Sequence, residues 1–304
     1  MGIIKAIVLG IVQGLTEFLP VSSSGHLVLL QKIFGISEMS LGLPALLFDT
    51  LLHVGTLAAV CAVLWKDIWA ILRKLNQPLT VYLIVATVPT VIAALVFKKQ
   101  LDAAFETGRF LGYAFLGTAA LLTAAELIGK FSRKGTENLQ FAAQRQRGKK
   151  DKYRESIREA AKKMTFLDSL VIGLMQAIAV IPGVSRSGAT LSGALFRNLD
   201  RDFAARFSFL LSIPAILGAL VFQFKGLLKS GIIDSISGLP VTAGGGMGVL
   251  AIIAGTLSAA ITGFFAVRLM LKIVREKRLW GFAVYTAVLG LLILTDQFLL
   301  HRIF

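Results

Sequence analysis

The sequence predicts an all-α polytopic membrane protein with inverted-topology repeats, six spanning helices and two re-entrant helix hairpins. Three observations predict this fold: the composition, six long apolar runs, and two interrupted apolar segments that resemble each other. Of the 304 residues, 56% are hydrophobic and 16% are charged, whereas roughly 25% of residues are charged in an ordinary soluble domain. This composition excludes a disordered chain, a coiled coil and a typical soluble enzyme.

The long apolar runs predict the spanning helices. A helix needs about 20 mostly apolar residues to cross the hydrocarbon core of a bilayer. We expect six runs to do so, near residues 41–65, 80–97, 110–129, 203–224, 243–271 and 280–300. An even number of crossings returns the chain to the side on which it started.

Two further apolar regions, near residues 3–35 and 166–199, are broken in the middle. In each, a short apolar helical pattern is followed by a stretch rich in Pro, Gly and Ser and then by a second short pattern. Neither half is long enough to span, so both regions are predicted as re-entrant helix hairpins. Irregular backbone at membrane depth survives only where it is buried in protein or lines a wet cavity.

The two broken regions also resemble each other in sequence. Gly14 matches Gly173, Glu17 matches Gln176, and a Val-Ser-x-Ser-Gly pattern occurs at both breaks. Three predicted spans separate the hairpins, so the hairpins enter from opposite faces and the repeats are inverted. In such folds the broken elements meet near the bilayer midplane and form the site there.

The predicted organisation is a first repeat at 1–131, a basic loop at 132–165 and a second repeat at 166–304. The distribution of charge predicts how these parts are oriented in the membrane. The net charge is +15, but no nucleic-acid module accompanies it, so nucleic acid is not an expected partner. With sides assigned by alternation, 23 of the 32 Lys and Arg residues fall on one side. Cytoplasmic loops carry such an excess, so the loop is expected in the cytoplasm and both termini outside. Anionic membrane lipids are expected partners of these charges.

The first break gathers polar residues after Glu17. A carboxylate inside an apolar segment costs about 2.5–3.5 kcal/mol on insertion scales, so it faces a cavity or a partner. Gln13 lies on the same helical face, and Pro20 ends the helix. The polar residues that follow are Ser22, Ser23, Ser24 and His26, which opens the next helical run. A helix N-terminus favours an anion, and the alternative is a serine-capped turn with a satisfied core histidine.

The second break supplies the opposite charge. Pro182 and Gly183 are expected to end a helix, Arg186 to lie in the loop, and Thr190 to start the next helix. A guanidinium presents a planar donor fork that fits phosphate. The hydroxyls beside it, which could complete an oxyanion cradle, belong to Ser185, Ser187 and Thr190. The alternative is a structural arginine paired with Glu17 or with a carbonyl, which substrate could still open.

Asp49 and His53 form another polar pair, at i and i+4 in the first predicted span. They are interpreted as a helix-stabilising pair, as support for the site or as a proton path, and the sequence leaves these three open. There is no Cys/His cluster typical of zinc and no Gly-rich nucleotide loop.

The motifs at the two breaks resemble those of the undecaprenyl-diphosphatase family, also called bacitracin-resistance proteins. The family carries [Glu/Gln]-x-x-x-Glu running into P-[VI]-S-S-[ST]-G-H, which is read here from Gln13 to His26. It also carries P-G-x-S-R-S-G-A-T, read here from Pro182 to Thr190. This chain has the Gln form of the first motif, so Glu17 is its single carboxylate there.

The resemblance implies a multi-pass phosphatase of the bacterial plasma membrane. Such an enzyme hydrolyses undecaprenyl diphosphate to the monophosphate and phosphate, which recycles the lipid carrier of cell-wall synthesis and confers bacitracin resistance. The implied substrate is a polyprenyl diphosphate lipid, and the implied cofactor is a divalent cation, Mg²⁺ or Ca²⁺. A homo-oligomer is compatible with this assignment.

The resemblance and the residue chemistry together suggest roles for each polar group. Arg186 is expected to hold the diphosphate, Glu17 to act at the reacting phosphate, directly or through the cation, and His26 to act as general acid or base. Ser23 is the candidate nucleophile, with an activated water as the alternative. The expected substrate-binding residues are Gln13, Ser22, Ser24, Ser185, Ser187 and Thr190. The alternative function is a lipid-phosphate flippase or transporter that uses the same midplane anion site.

Overall fold

The fold is described by a computed structural model that covers residues 2–36, 45–143, 163–229, 249–276 and 278–304. Within these ranges the chain is helical apart from short turns, and no strand occurs. Five helices are long and apolar enough to cross a membrane, and a sixth crossing is counted if a bent helix pair is one span. The predicted all-α, multi-pass membrane fold is therefore confirmed.

Twelve α-helices are described, and a short π-helical turn, Asp296–Leu300, follows the last of them. In chain order they are α1 (Ile3–Phe18), α2 (Ser23–Ile33), α3 (Ala45–Val63), α4 (Trp65–Arg73), α5 (Pro78–Val96), α6 (Lys98–Thr107), α7 (Leu111–Ala143), α8 (Phe166–Ile178), α9 (Arg186–Phe196), α10 (Arg201–Lys229), α11 (Val249–Glu276) and α12 (Trp280–Thr295).

Five of the predicted spans correspond to single helices, namely α5, α7, α10, α11 and α12. The run predicted at 41–65 is different, because its helix bends by 78° into α4 after Val63. Helix α7 continues to Ala143 and so includes the first part of the loop predicted at 132–165. Residues 41–44, 243–248 and the basic stretch 144–162 lie outside the described ranges.

Both predicted hairpins have the expected helix–break–helix form. The first joins α1 to α2 and the second joins α8 to α9, and these helices have 16, 11, 13 and 11 residues. At 1.5 Å per residue, none of the four could cross a hydrocarbon core of about 30 Å.

The start of the second helix in each hairpin was predicted too late. Helix α2 begins at Ser23 rather than at His26, and α9 begins at Arg186 rather than at Thr190. The reason is capping: the hydroxyl oxygens of Ser22 and Ser185 each accept a hydrogen bond from the backbone N–H three residues later. Arg186 therefore occupies the first helical turn and not a loop.

The hairpins pack reciprocally on the other half of the chain. Helix α1 lies along α11, α8 lies along α5, and α7 pairs with α12. Gly14 and Gly173 permit the first two approaches, because a Cβ at Gly14 would lie 2.5 Å from the carbonyl oxygen of Ala259 and one at Gly173 would lie 2.6 Å from that of Ala86. Two related halves would make such matched contacts, and their inverted orientation in a membrane stays a prediction.

The largest apolar core packs against the end of α1, next to the first break. Phe18, the last residue of α1, is fully buried and packs edge-on against Phe209 of α10, with ring centroids 5.6 Å apart. The neighbouring residue of α10, Ser208, lies 2.5 Å from the hydroxyl of Thr190 on α9. One face of α10 thus contacts both hairpins and fixes their relative position.

Candidate active site

The two helix breaks meet, and their contact is made by hydrogen bonds. The hydroxyl of Ser187 donates to the carbonyl oxygen of Leu19 at 2.9 Å, and the backbone N–H of Gly183 donates to the hydroxyl oxygen of Ser24 at 3.4 Å. These bonds satisfy backbone groups that the helix breaks leave without intrahelical partners. They also bring the polar residues of the first break against those of the second.

Glu17 lies at the centre of this contact and is buried, with 6% of its surface exposed. Its Oε1 accepts a hydrogen bond from Nη2 of Arg186 at 2.6 Å. Its Oε2 accepts from the hydroxyl of Ser23 at 2.5 Å and from the side-chain amide of Gln13 at 2.9 Å. The carboxylate is thus held by a cation and two neutral donors, which offset the cost of burying its charge.

Arg186 uses only part of its donor fork on Glu17. Its Nη1 is buried and has no hydrogen-bond partner among the described residues. An arginine offers five N–H donors, and a buried cationic donor without an acceptor is costly. The buried Nη1 could therefore donate to an additional anion at this point.

The serines of the two breaks have different surroundings. Ser22 and Ser185 are buried and serve as helix caps, and Ser22 adopts a left-handed backbone with φ 71°. Ser23 and Ser24 are half-buried. A non-glycine residue in the left-handed region costs of order 1–3 kcal/mol and occurs preferentially at functional sites. The strained cap at Ser22 presents the next hydroxyl, that of Ser23, to Glu17.

The hydroxyls of the second break are engaged within the protein. Ser185 and Ser187 are buried with their hydroxyl oxygens 3.2 Å apart, and the backbone N–H of Ser185 donates to Thr118 at 3.0 Å. Thr190 donates to the carbonyl oxygen of Arg186 at 2.9 Å. These contacts brace the helix start that presents Arg186.

His26 lies close to the site in sequence, but its ring contacts Ser22, Tyr285 and Phe115. Its Nδ1 is 2.6 Å from the carbonyl oxygen of Ser22 and its Nε2 is 2.8 Å from the hydroxyl of Tyr285. Its ring stacks on Tyr285 and meets Phe115 edge-on. Both ring nitrogens are therefore occupied, and Tyr285 is a neighbour of the site that no local pattern in the sequence indicated.

The imidazole that faces Glu17 is that of His53 on α3. Its Nε2 lies 3.7 Å from Oε2 of Glu17, and its Nδ1 is 2.7 Å from the carbonyl oxygen of Asp49. Asp49 in turn accepts a hydrogen bond from the side-chain amide of Gln31 at 2.8 Å. The sequence showed Asp49 and His53 only as a polar pair on an apolar helix, and the packing of α3 against the first hairpin brings His53 to the site.

The donor set does not form a metal site by itself. No group of three or more His, Cys, Asp or Glu side chains close enough to hold a metal ion occurs in the part of the chain that the structure describes. Both oxygens of Glu17 already accept hydrogen bonds from Arg186, Ser23 and Gln13. A single engaged carboxylate does not match the oxygen cage that Ca²⁺ requires.

Fold and site together define a helical integral membrane protein with a buried carboxylate, guanidinium and hydroxyl at the meeting point of two broken helices. The profile of the family described as "Bacitracin resistance protein BacA" matches residues 6–292. The chain belongs to this family.

Similar proteins cover nearly the whole chain. The chain is 41% identical over 297 residues to a protein of Carboxydothermus hydrogenoformans named undecaprenyl-diphosphatase, with 98% of both chains covered. It is 37% identical to one of the same name from Alkaliphilus metalliredigens, with 95% of this chain and 97% of that one covered. It is 38% identical to undecaprenyl-diphosphatase 4 of Bacillus thuringiensis subsp. konkukian, with 98% of both covered.

Proposed function

We propose that this chain is a membrane phosphatase that hydrolyses undecaprenyl diphosphate to undecaprenyl phosphate and phosphate. The names of its relatives support the reaction. The observation that carries the proposal is the guanidinium of Arg186, which holds Glu17 with one nitrogen and has a second, buried nitrogen without a hydrogen-bond partner in the described ranges. Hydrolysis of the diphosphate would recycle the lipid carrier and remove the molecule that bacitracin traps.

In this proposal the diphosphate binds at the N-termini of α2 and α9, which follow the two breaks. Phosphoryl transfer requires positive charge at the equatorial phosphate oxygens and a nucleophile in line with the leaving oxygen. Arg186 supplies the charge, and the N-termini of α2 and α9 add backbone N–H donors. The residues proposed to contact or shape this site are Gln13, Ser22, Ser24, Ser185, Ser187 and Thr190.

Ser23 is the nucleophile we propose, because its hydroxyl already donates to Glu17 at 2.5 Å. The hydroxyl oxygen attacks the terminal phosphorus, its proton passes to Glu17, and the bond from phosphorus to the bridging oxygen breaks. Undecaprenyl phosphate leaves, and water then hydrolyses the phosphoserine to release phosphate. In the alternative, Glu17 takes the proton of a water that attacks phosphorus directly and no phosphoserine forms.

Two histidines are candidates for the general acid or base. The family resemblance favours His26, whose two nitrogens are engaged by Ser22 and Tyr285. The geometry favours His53, which faces the carboxylate of Glu17 at 3.7 Å. We propose that His53 supports Glu17 directly and that His26 acts only after releasing one of its two partners.

A divalent cation, Mg²⁺ or Ca²⁺, is proposed to enter with the substrate rather than to reside in the protein. Mg²⁺ is commonly bound by one or two carboxylates together with substrate phosphates, and Glu17 could take this role once substrate draws Arg186 away from its Oε1. Its chemistry would be charge neutralisation at the phosphate oxygens.

The proposal is tested by phosphate release from undecaprenyl diphosphate and farnesyl diphosphate, with purified protein in detergent, where transport is impossible. We expect release by the wild-type protein and its loss in Arg186→Ala. Absence of release by folded protein with either cation would overturn the proposal and would favour the flippase reading, which is then tested by lipid flux in liposomes.

We also propose that the chain lies in the bacterial plasma membrane with both termini outside and residues 132–165 in the cytoplasm. The asymmetry of the basic residues supports this orientation. Cys61 is the single cysteine, so single-cysteine variants built on Cys61→Ala report orientation with an impermeant thiol reagent. Labelling from outside is expected at position 302 and not at position 154, and the reverse pattern would invert the proposed topology.

A further inference from the structure

Helix α4, which follows the 78° bend after Val63, has the character of a membrane-surface helix. Trp65, Trp69 and Leu72 occur at i, i+4 and i+7, and they are 56%, 44% and 55% exposed. The two indole rings stack with centroids 5.7 Å apart. Tryptophan is enriched at membrane–water interfaces, so this apolar face is suited to the boundary between headgroups and acyl chains.

A cleft of about 290 Å³ lies between α4, the turn that follows it and α10. Its basic side chains are Lys66, Arg73, Lys74 and Arg206, and its single acidic side chain is Asp67. Apolar walls are provided from α10 by Phe203, Phe207 and Leu210. The cleft therefore combines apolar walls with several positively charged side chains.

Among the residues that the structure describes, the positive charges of the cleft outnumber the negative charges that pair with them. Arg206 is paired with Asp67 at 3.0 Å and with Asp202 at 3.4 Å, and Arg275 approaches Asp202 at 2.7 Å. Lys66, Arg73 and Lys74 form no ion pair with any residue in the described ranges, and the guanidinium of Arg73 lies over the Trp69 ring, 5.1 Å from its centroid. Three positive charges thus converge on one cleft at the edge of an apolar helix face.

We propose that this cleft binds the phosphate headgroup of an anionic glycerophospholipid. The basic residues hold the phosphate, while the acyl chains lie along Trp65, Trp69 and Leu72. A lipid fits better than free phosphate because the cleft opens beside an exposed apolar face, which acyl chains can cover and an inorganic anion cannot. Each Lys or Arg near a membrane surface contributes about 1 kcal/mol of attraction to anionic lipid.

The proposed lipid site is separate from the diphosphate site. Helix α10 stands between them: Arg206 and Leu210 line the cleft, whereas Ser208 and Phe209 contact Thr190 and Phe18 of the two hairpins. Lipid binding in the cleft therefore does not depend on the proposed hydrolysis, and either can fail without the other.

Native mass spectrometry of the purified protein tests the proposal. The protein is incubated in detergent with phosphatidylglycerol, with phosphatidylcholine of the same acyl chains, or with inorganic phosphate. We expect retained phosphatidylglycerol on the wild-type protein, and a loss of about 100-fold or more in affinity in the triple variant Lys66→Gln/Arg73→Gln/Lys74→Gln, at about fivefold per charge. The matched control Lys99→Gln/Arg109→Gln/Arg302→Gln removes three exposed charges elsewhere and is expected to retain the lipid.

Three outcomes would overturn the proposal. An equal loss in the two triple variants would show diffuse surface charge rather than a site. Displacement of phosphatidylglycerol by inorganic phosphate, or equal retention of phosphatidylcholine, would show that an anionic lipid is not the ligand. Wild-type melting temperatures in detergent establish that both triple variants are folded, whether or not the protein hydrolyses prenyl diphosphates.

Lipid position gives a second readout in nanodiscs. Phosphatidylglycerol brominated near its headgroup should quench the fluorescence of Trp65 and Trp69, measured in a Trp280→Phe background, more strongly than brominated phosphatidylcholine does. Equal quenching by the two lipids would contradict headgroup selection at this cleft.

Discussion

Arg186 and Glu17 are 169 residues apart in sequence, yet Nη2 of the arginine lies 2.6 Å from Oε1 of the carboxylate. Glu17 belongs to the first broken hairpin and Arg186 to the second, so this ion pair joins the two halves of the chain. Both side chains are largely buried, with 18% of the arginine side chain and 5% of the glutamate side chain exposed. The pair therefore bears on both the stability of the fold and the proposed chemistry, and mutation can separate these two effects.

Removing the charge of either partner should abolish hydrolysis. We expect Arg186→Ala and Glu17→Gln to lower the turnover by about 10²–10³-fold or more, because the first removes the positive charge at the reacting phosphate and the second removes the carboxylate that takes the proton of the nucleophile. Phosphate release in detergent measures this change. Breaking a buried pair also costs about 3–5 kcal/mol of stability, so the double variant Glu17→Leu/Arg186→Met is the control. It should recover thermal stability but not activity; recovery of both would show a purely structural pair.

Ser23 should become transiently phosphorylated. Ser23→Ala is expected to lose turnover by orders of magnitude, and acid quenching of the wild-type reaction followed by peptide mass spectrometry should identify phosphoserine at this position. Ser258→Ala is a suitable control because that hydroxyl bonds only to the carbonyl oxygen of Ala254 in its own helix, at 2.7 Å. High activity of Ser23→Ala would assign the attack to water.

Substitution of the two histidines should separate their roles. We expect His53→Gln to lower the turnover with little change in KM, because His53 faces Glu17, which is proposed to act on the nucleophile rather than to hold the diphosphate. Tyr285→Phe removes one partner of His26 and should reproduce part of any loss seen in His26→Gln. Wild-type turnover in His53→Gln together with inactivity of His26→Gln would assign the acid–base role to His26.

The close helix approaches at Gly14 and Gly173 should be intolerant of a methyl group. Gly173→Ala is expected to destabilise the protein by about 1–3 kcal/mol through overpacking against Ala86. Gly218→Ala and Gly281→Ala, where an added Cβ meets no atom within 4 Å, should be neutral or stabilising by up to about 1 kcal/mol. Thermal unfolding in detergent compares the three variants, and equal melting temperatures would contradict the packing argument.

Chelation should distinguish a substrate-borne cation from a resident one. If the cation arrives with the diphosphate, EDTA should stop hydrolysis at once and added Mg²⁺ or Ca²⁺ should restore it fully, with no change in the melting temperature of the protein alone. A drop in melting temperature on chelation would instead indicate a resident metal. Activity that is unaffected by EDTA would remove the cation from the mechanism.

Much of the architecture could be predicted from local sequence. Apolar runs and their interruptions are properties of neighbouring residues, so five of the six predicted spans correspond to single helices and both hairpin breaks occur where predicted. The bend before α4 was not predicted. The run at 41–65 is apolar along its whole length, and the amphipathic pattern of α4 begins only at its end, at Trp65. Helix starts were predicted too late because the caps at Ser22 and Ser185 were assigned to loops.

The site was predictable in part for the same reason. Glu17, Ser23 and Arg186 carry motifs and charge that stand out in apolar segments, and the structure brings them together. The approach of His53 to Glu17 and the hydrogen bond between His26 and Tyr285 depend on how helices distant in sequence pack together. No pattern along the chain encodes those distances.

The sequence separation of Glu17 and Arg186 also has a consequence for synthesis. At about 5–20 residues per second, a ribosome needs roughly 8–34 seconds to travel the 169 residues between them. Throughout that interval the nascent hairpin carries a carboxylate whose counter-charge has not yet been made. The donors from Gln13 and Ser23, which belong to the same hairpin, are available to that carboxylate before Arg186 is translated.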